Sequence, residues 1–217
     1  MNNRDRARIH AALGDERRLL IVDHLVPGDR TVAQLARVSG LEGNLLAHHL
    51  DVLTEAGLIE RRVSEGDRRR RYVKLNWEVA GQGSLLRHQP LSGKVAFVCT
   101  HNSARSQFAA ALWHELTGRP PVSAGTAPAA KVHPKAVRIA REFGVDLSKA
   151  RPSGLDALPD DLATVVSVCD RANESEVPHA DRHLHWSVPD PVPVGTMDAF
   201  RLPFTEIARR IEGADRS

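Results

Sequence analysis

Cys99-Thr-His-Asn-Ser-Ala-Arg105-Ser106 sets a sulfur nucleophile five residues ahead of a guanidinium. That spacing suits covalent chemistry on a tetrahedral oxyanion. Consecutive backbone amides of such a loop can turn inward and ring the anion, helped by the positive end of a following helix. Arg105 adds a planar fork that matches two of the anion's oxygens. The residues expected to hold the anion are Thr100, His101, Asn102, Ser103, Ala104 and Arg105. The same positive field stabilises a thiolate, so the Cys99 thiol is expected well below the free value of about 8.5. A thiolate at the base of the loop attacks the central atom in line. Cysteine and arginine at this spacing also arise by chance, as a small buried thiol beside an incidental cation. Placement separates the two readings, because an apolar run precedes the loop and a helical pattern follows it.

The elements that must position this loop can be read from the same stretch. Val95-Ala96-Phe97-Val98 is a buried-strand run, and a helix is predicted from about Ala104 to Leu116. Further strands are predicted at Val122-Ser123 and Thr164–Val168, with helices near Pro134–Phe143 and Met197–Ile211. Strands alternating with helices predict an α/β domain with a central parallel sheet over 93–217. Asp190, flanked by Pro189 and Pro191, is a carboxyl that can protonate a departing oxygen; it also reads as a surface-turn aspartate. The second cysteine, Cys169, follows the strand at Val165–Val168. It reads either as a resolving thiol or as a small core hydrophobe. Two cysteines are too few for a disulfide scaffold, and without a CxxC or Cys/His cluster no metal site is expected.

The first third has a different pattern. Ile9, Leu13, Leu19, Leu20 and Val22 fall at helical spacing, with Asp15 as a candidate N-cap. Thr31 can cap a short helix carrying Val32, Leu35 and Val38 that stops at Ser39-Gly40; a second carries Leu46, Leu50 and Leu53 and ends at Gly57. Two short helices about a turn form a helix-turn-helix pattern. Beyond it, Leu58–Val63 and Tyr72–Leu75 read as strands about the turn Ser64-Glu65-Gly66-Asp67, a hairpin with arginine-rich arms. The chain is therefore α/β overall with two domains. A winged helix-turn-helix, mainly α with a β-wing, occupies 1–78, a linker 79–92, and the α/β domain 93–217. Leu85-Leu86 in the linker can dock on either domain.

Charge agrees with this division. The net +3 lies wholly in residues 1–77, with 14 Lys/Arg against 11 Asp/Glu, while the remainder is balanced at 16 and 16. Arg61, Arg62, Arg68, Arg69, Arg70, Arg71 and Lys74 make a local basic block that suits a phosphate backbone, or else a solvated loop. No apolar run approaches the roughly 18 to 20 residues a membrane span needs, and the polar start lacks a signal peptide's apolar stretch. A soluble, cytoplasmic protein without membrane contact is expected.

Residues 94–190 resemble the low-molecular-weight protein tyrosine phosphatase superfamily, which includes thioredoxin-coupled arsenate reductases. The likeness rests on Cys99–Ser106, on Ser123-Ala-Gly-Thr126 and on Asp190-Pro191 within His-Trp-Ser-Val-Pro-Asp-Pro. It implies Cys99 as nucleophile, Arg105 as clamp, Asn102 as loop brace, Ser106 as hydrogen-bond donor to the thiolate and Asp190 as general acid. Phosphatases of this kind usually carry tyrosines after the Asp-Pro; here the stretch reads Pro191-Val-Pro-Val-Gly-Thr-Met, and the only tyrosine is Tyr72. A small anion such as phosphate, arsenate or sulfate fits better. Thioredoxin-coupled relatives have two further cysteines; Cys169 matches the first, and Glu176 stands about where the second would fall. That departure leaves a low-molecular-weight thiol, mycothiol or glutathione, as resolving co-substrate, with no tightly bound cofactor expected. Arsenate reduction through a Cys99 adduct resolved by that thiol is the leading expectation; hydrolysis of phosphomonoesters through a phosphocysteine, and a regulator whose second domain only senses the anion, are the other readings.

Residues 8–76 resemble the ArsR/SmtB family of repressors through Ala12-Leu-Gly-Asp15, Arg18-Leu and His48–Ile59 followed by the basic wing. The resemblance implies Gly43, Asn44, Ala47 and His48 in the major groove, with Arg68–Arg71 at phosphates or the minor groove. It also implies a homodimer through the N-terminal domain on a pseudo-palindromic operator, or a domain retained only for dimerisation. No thiol occurs in residues 1–92, which excludes sensing through a cysteine pair there. His48 and His49 point about 100° apart on a helix, so His49 is expected to pack rather than to ligate a metal.

Overall fold

The computed structural model describes residues 2–41, 43–80, 90–120, 122–175 and 177–215. The chain divides into two compact units, Met1–Ser64 with Arg68–Gln89, and Pro90–Ser217 with Glu65–Asp67.

In the first unit, helices α1 (Asn3–Leu13), α2 (Glu16–Leu25), α3 (Val32–Ser39) and α4 (Gly43–Glu55) surround one apolar core. Their boundaries follow from capping chemistry. The Asp15 carboxylate accepts the Arg17 and Arg18 amides at 3.0 Å each, closing the open start of α2. Thr31 and Gln34 form a reciprocal capping box at α3. Gly40 ends α3 at φ 67°, a left-handed conformation natural to glycine. Leu46, Leu50 and Leu53 of α4 are buried against Ile21, Leu25 and Leu35. The expected hairpin is present as β2 (Ile59–Val63) and β3 (Arg71–Leu75). A third strand that sequence periodicity missed, β1 (Arg30–Thr31), pairs antiparallel with β3 to give the order β1-β3-β2. Two residues are too short a run to register an alternation.

The linker expected over 79–92 is shorter at both ends. A one-turn helix, α5 (Trp77–Ala80), buries Trp77 and Ala80 in the first core. Leu91 is buried in the second unit, and its amide donates to the Ala214 carbonyl at 2.9 Å. Leu85-Leu86 lie outside the described residues.

The second unit is a four-stranded parallel sheet, ordered β5 (Ser123–Gly125), β4 (Val95–Cys99), β6 (Thr164–Ser167) and β7 (Arg182–His185). Around it lie α6 (Arg105–Thr117), α7 (Pro134–Glu142), the short α8 (Asp170–Asn173) and α9 (Met197–Asp215). Every residue of β4 is buried, as a strand covered on both faces requires. Phe97 packs edge-on to Trp113 with ring centres 6.4 Å apart, and against Trp186 at 5.9 Å. The edge strand β7 was not predicted; Arg182-His-Leu-His185 has no β-branched residue and only its last two side chains are buried. β4 has β5 on one side and β6 on the other, so the order of strands reverses at β4 while all run parallel. Loops that follow β4 and β6 therefore meet at the carboxyl ends of those strands, where open α/β sheets bind ligands. Those loops carry Cys99 and Cys169. Among the described residues, no helix is long and apolar enough to cross a membrane.

Candidate active site

The loop from Cys99 to Arg105 is held from outside by its own carbonyls. The Cys99 carbonyl accepts the Thr126 amide at 3.1 Å, Thr100 that of Ala127 at 2.8 Å, His101 that of Ala129 at 2.9 Å, and Ser103 that of His133 at 2.8 Å. A trans peptide points its N–H opposite its C=O. Turning these carbonyls outward therefore turns the amides of Thr100, His101, Asn102 and Ala104 inward. The Asn102 amide shows the result directly, because it donates to Cys99 Sγ at 3.2 Å. Asn102 is the one non-glycine described with positive φ, 46°, a conformation that asparagine tolerates better than other side chains. The first-turn amides of α6, which have no intrahelical acceptor, add to the same positive concavity.

The Asn102 side chain ties the loop together. Its amide nitrogen donates to Ser106 Oγ at 2.8 Å and Ser123 Oγ at 3.0 Å, and its oxygen accepts the Ser153 amide at 2.9 Å. Because Ser106 Oγ is already an acceptor there, its hydrogen is left for Cys99 Sγ, 3.0 Å away. Gly125, in β5, makes room for all of this. A Cβ there would stand 2.8 Å from the Thr100 oxygen and 3.0 Å from the Asn102 nitrogen.

Arg105 is 5% exposed, and its Nη1 donates to the Val188 carbonyl at 2.8 Å. Its Nη2 lies 3.3 Å from Asp190 Oδ2. Burial opposes its charge, yet the Cys169 and Cys99 sulfurs and Asp190 outweigh that and hold the guanidinium even more firmly protonated than usual. The structure thus brings Cys99, Asn102, Arg105, Ser106 and Asp190 together.

Cys169 is buried beside this group, with Sγ 3.4 Å from Thr100 Oγ1 and accepting the Ala172 amide at 3.4 Å. Burial pushes its thiol up, partly countered by Arg105. Next to it, a buried Asp170 carboxylate meets His185 Nε2 at 3.0 Å. Burial works against the Asp170 charge, but hydrogen bonds led by that from His185 hold it below the usual carboxylate range. Glu176 lies outside the described residues.

In the first unit, Gly43, Asn44, Ala47 and His48 are all exposed on α4, as are Arg68, Arg69, Arg70 and Arg71 in and beside the wing turn. His49 is 5% exposed, and neither ring nitrogen has a hydrogen-bond partner among the described residues. Burial holds its imidazole below the usual value, so it packs as the neutral form. No group of three or more His, Cys, Asp or Glu that could hold a metal occurs among the described residues.

Sequence reasoning held Gly125 within the matching stretch Ser123-Ala-Gly-Thr126 but gave it no role, and it missed the amides of Ala127, Ala129 and His133. Glycine within a strand pattern is a usable signal of close backbone approach; backbone donors on a loop leave none.

Residues 94–216 match the family of low molecular weight phosphotyrosine protein phosphatases, and residues 15–61 match the arsR family of bacterial regulatory proteins. An arsenate reductase of Halalkalibacterium halodurans is 30% identical over 127 residues, covering 54% of this chain and 91% of that protein. A glutaredoxin arsenate reductase of Synechocystis is 28% identical over 123 residues, with 55% and 93% covered. A solved arsenate reductase in its oxidised state superposes with a TM-score of 0.50 at 27% identity, covering 57% of this chain and 96% of its own.

Two outcomes are expected. Gly125→Ala should displace the loop, costing about 1–3 kcal/mol of stability as an overpacked site and weakening phosphate binding in a calorimetric titration; wild-type affinity would show that the loop yields. For Cys169, a raised folded value keeps the thiol neutral at neutral pH. Its linked stability is present there and is lost as pH climbs past the ordinary thiol range. Intact-mass analysis after iodoacetamide at neutral pH should show one adduct, on Cys99, with Cys169 labelled only in alkali or after unfolding.

Proposed function

The chain belongs to the low molecular weight phosphotyrosine protein phosphatase family through residues 94–216 and carries an arsR-family segment at 15–61, and from that premise we propose that it is a transcriptional regulator joined to an arsenate-reducing enzyme. The observation that carries the enzymatic half is Cys99 Sγ at the base of inward-facing amides, with the buried Arg105 guanidinium beside it. The arsenate reductase relatives support the choice of anion, as does the absence of an aromatic wall in Pro191–Met197.

Each group has a chemical task. The amides and Arg105 bind arsenate and stabilise the charge that builds on its oxygens. Cys99 attacks arsenic as the thiolate, forming an S–As bond while one As–O bond breaks. Asp190, set at 3.3 Å from Arg105, protonates the departing oxygen, which leaves as water. A low-molecular-weight thiol such as glutathione or mycothiol then attacks Cys99 Sγ. The S–As pair stays on arsenic, reducing As(V) to As(III), and arsenite leaves a mixed disulfide. A second thiol molecule frees Cys99 and forms the oxidised thiol dimer. The position of Cys169 beside Thr100 supports it as an internal alternative to the first external thiol.

In the regulatory half, the exposed Gly43, Asn44, Ala47 and His48 read base edges, while Arg68–Arg71 contact phosphates. We place this half as a homodimer on a pseudo-palindromic operator, in the cytoplasm. The family match keeps one competing activity in view, hydrolysis of phosphomonoesters through a phosphocysteine.

With arsenate and glutathione or mycothiol, wild-type protein should yield arsenite, Cys99→Ser none above background, and Asp190→Asn a kcat lower by about 10²–10⁴-fold. Arsenate left intact while an aryl phosphate turns over would replace arsenate reduction with phosphatase action. Binding to operator DNA should weaken linearly in log–log salt titrations, with a slope shallower by about one per phosphate contact removed when Arg68–Arg71 are changed singly to Ala. An unchanged slope would remove the wing from the interface.

A further inference from the structure

We infer that Gln107 is a positioning residue of the anion loop, supplying from a side chain the one outward carbonyl contact that the backbone of residues 126–133 does not reach. The inference rests on the anion-binding reading above and extends it to a residue one step removed from the reacting atoms.

Four of the five carbonyls from Cys99 to Ser103 are held by the amides of Thr126, Ala127, Ala129 and His133. The fifth, that of Asn102, accepts Gln107 Nε2 at 3.1 Å. The same nitrogen reaches Asn102 Oδ1 at 2.9 Å and the Arg151 carbonyl at 3.2 Å. Two hydrogens are thus shared among three oxygens, and Gln107 is only 6% exposed.

Two consequences follow from the position of that contact. Holding the Asn102 carbonyl outward turns the Ser103 amide inward, so Gln107 completes the run of inward amides from Thr100 to Ala104. Holding Asn102 Oδ1 fixes the side-chain amide so that its nitrogen faces Ser106 Oγ, and through it the hydrogen that Ser106 directs at Cys99 Sγ. Asn102 is also the residue at positive φ, where the loop most needs a restraint. Removing the Gln107 donors leaves a buried carbonyl unpaired and lets the 102–103 peptide rotate toward the anion, placing an oxygen where a donor belongs.

The test reads Cys99 alkylation by iodoacetamide and its protection by inorganic phosphate, and needs no turnover. Gln107→Met keeps length and burial but has no donor. We expect it to melt cooperatively, to alkylate more slowly near neutral pH, and to need about tenfold more phosphate for half-protection, the equivalent of one charge-assisted hydrogen bond. Gln107→Glu keeps the shape; its carboxylate faces three oxygens, so it should protect worst near neutrality and recover as acid restores one O–H donor. In the unsubstituted protein, the Gln107 side-chain amide protons should exchange slowly and the Ser103 amide resonance should shift on adding phosphate. Folded Gln107→Met with wild-type alkylation and protection, or a Ser103 resonance indifferent to phosphate in a wild type whose Cys99 is protected, overturns the inference. A wild type whose Cys99 phosphate never protects overturns the anion-binding reading instead.

Discussion

A row of peptide carbonyls facing away from an anion is the condition on which the catalytic unit is built. An isolated loop has no reason to adopt it, since carbonyls and amides alternate and either edge can face in. Here the choice is imposed by amides of residues 126–133, arriving from outside at 2.8–3.1 Å. Once the outward edge is committed, planarity of the peptide decides the inward edge without any further contact. The positive concavity around Cys99 is therefore a property of the β5–α7 connection as much as of the loop that contains the cysteine. The close seating of β5 on the loop, which Gly125 permits, is part of the same condition.

Electrostatics then favours an occupant of one sign. A guanidinium that is 5% exposed is expensive to bury alone. Arg105 is compensated by the Val188 carbonyl and the Asp190 carboxylate. The Asp190 carboxylate is also placed to act in the proposed chemistry, so part of the charge that makes the pocket selective is stabilised by a group that would use it. The carboxylate on the Arg105 fork and the incoming anion compete for the same cation.

How much of this could be read in the sequence varied with the kind of signal. Residues that act through their side chains at a fixed spacing were legible: Cys99, Asn102, Arg105 and Ser106 fell where the loop pattern put them, and Asp190 meets Arg105 across 85 positions of chain. Caps were legible for the same reason, with Asp15, Thr31 and Gly40 each placing a helix boundary. What could not be read was structure made by backbone or by tertiary packing. Ala127 and Ala129 contribute only N–H groups, which every residue but proline has. The strand β1 is two residues long, β7 lacks β-branched side chains, and α5 is one turn whose existence depends on Trp77 finding the core. The division between fading periodicity and a true linker is likewise set by burial, which a composition shift does not report.

The two cysteines illustrate how one residue type acquires two behaviours from its surroundings. Cys99 Sγ accepts a backbone amide at 3.2 Å and faces a hydroxyl hydrogen at 3.0 Å. Cys169 Sγ has a longer amide contact, 3.4 Å, within a site whose burial dominates and drives its thiol upward. A neutral thiol is a poor nucleophile, so in the proposed reaction Cys169 is the weaker competitor for arsenate. In the proposed adduct the Cys99 sulfur is bonded to arsenic and no longer available as a nucleophile. Arg105 remains to stabilise whichever thiolate comes next. An external thiol arrives already partly ionised and solvated, whereas Cys169 must lose a proton inside a buried pocket with Thr100 Oγ1 as its nearest hydroxyl. On these terms the external thiol is expected to resolve the proposed adduct faster than Cys169.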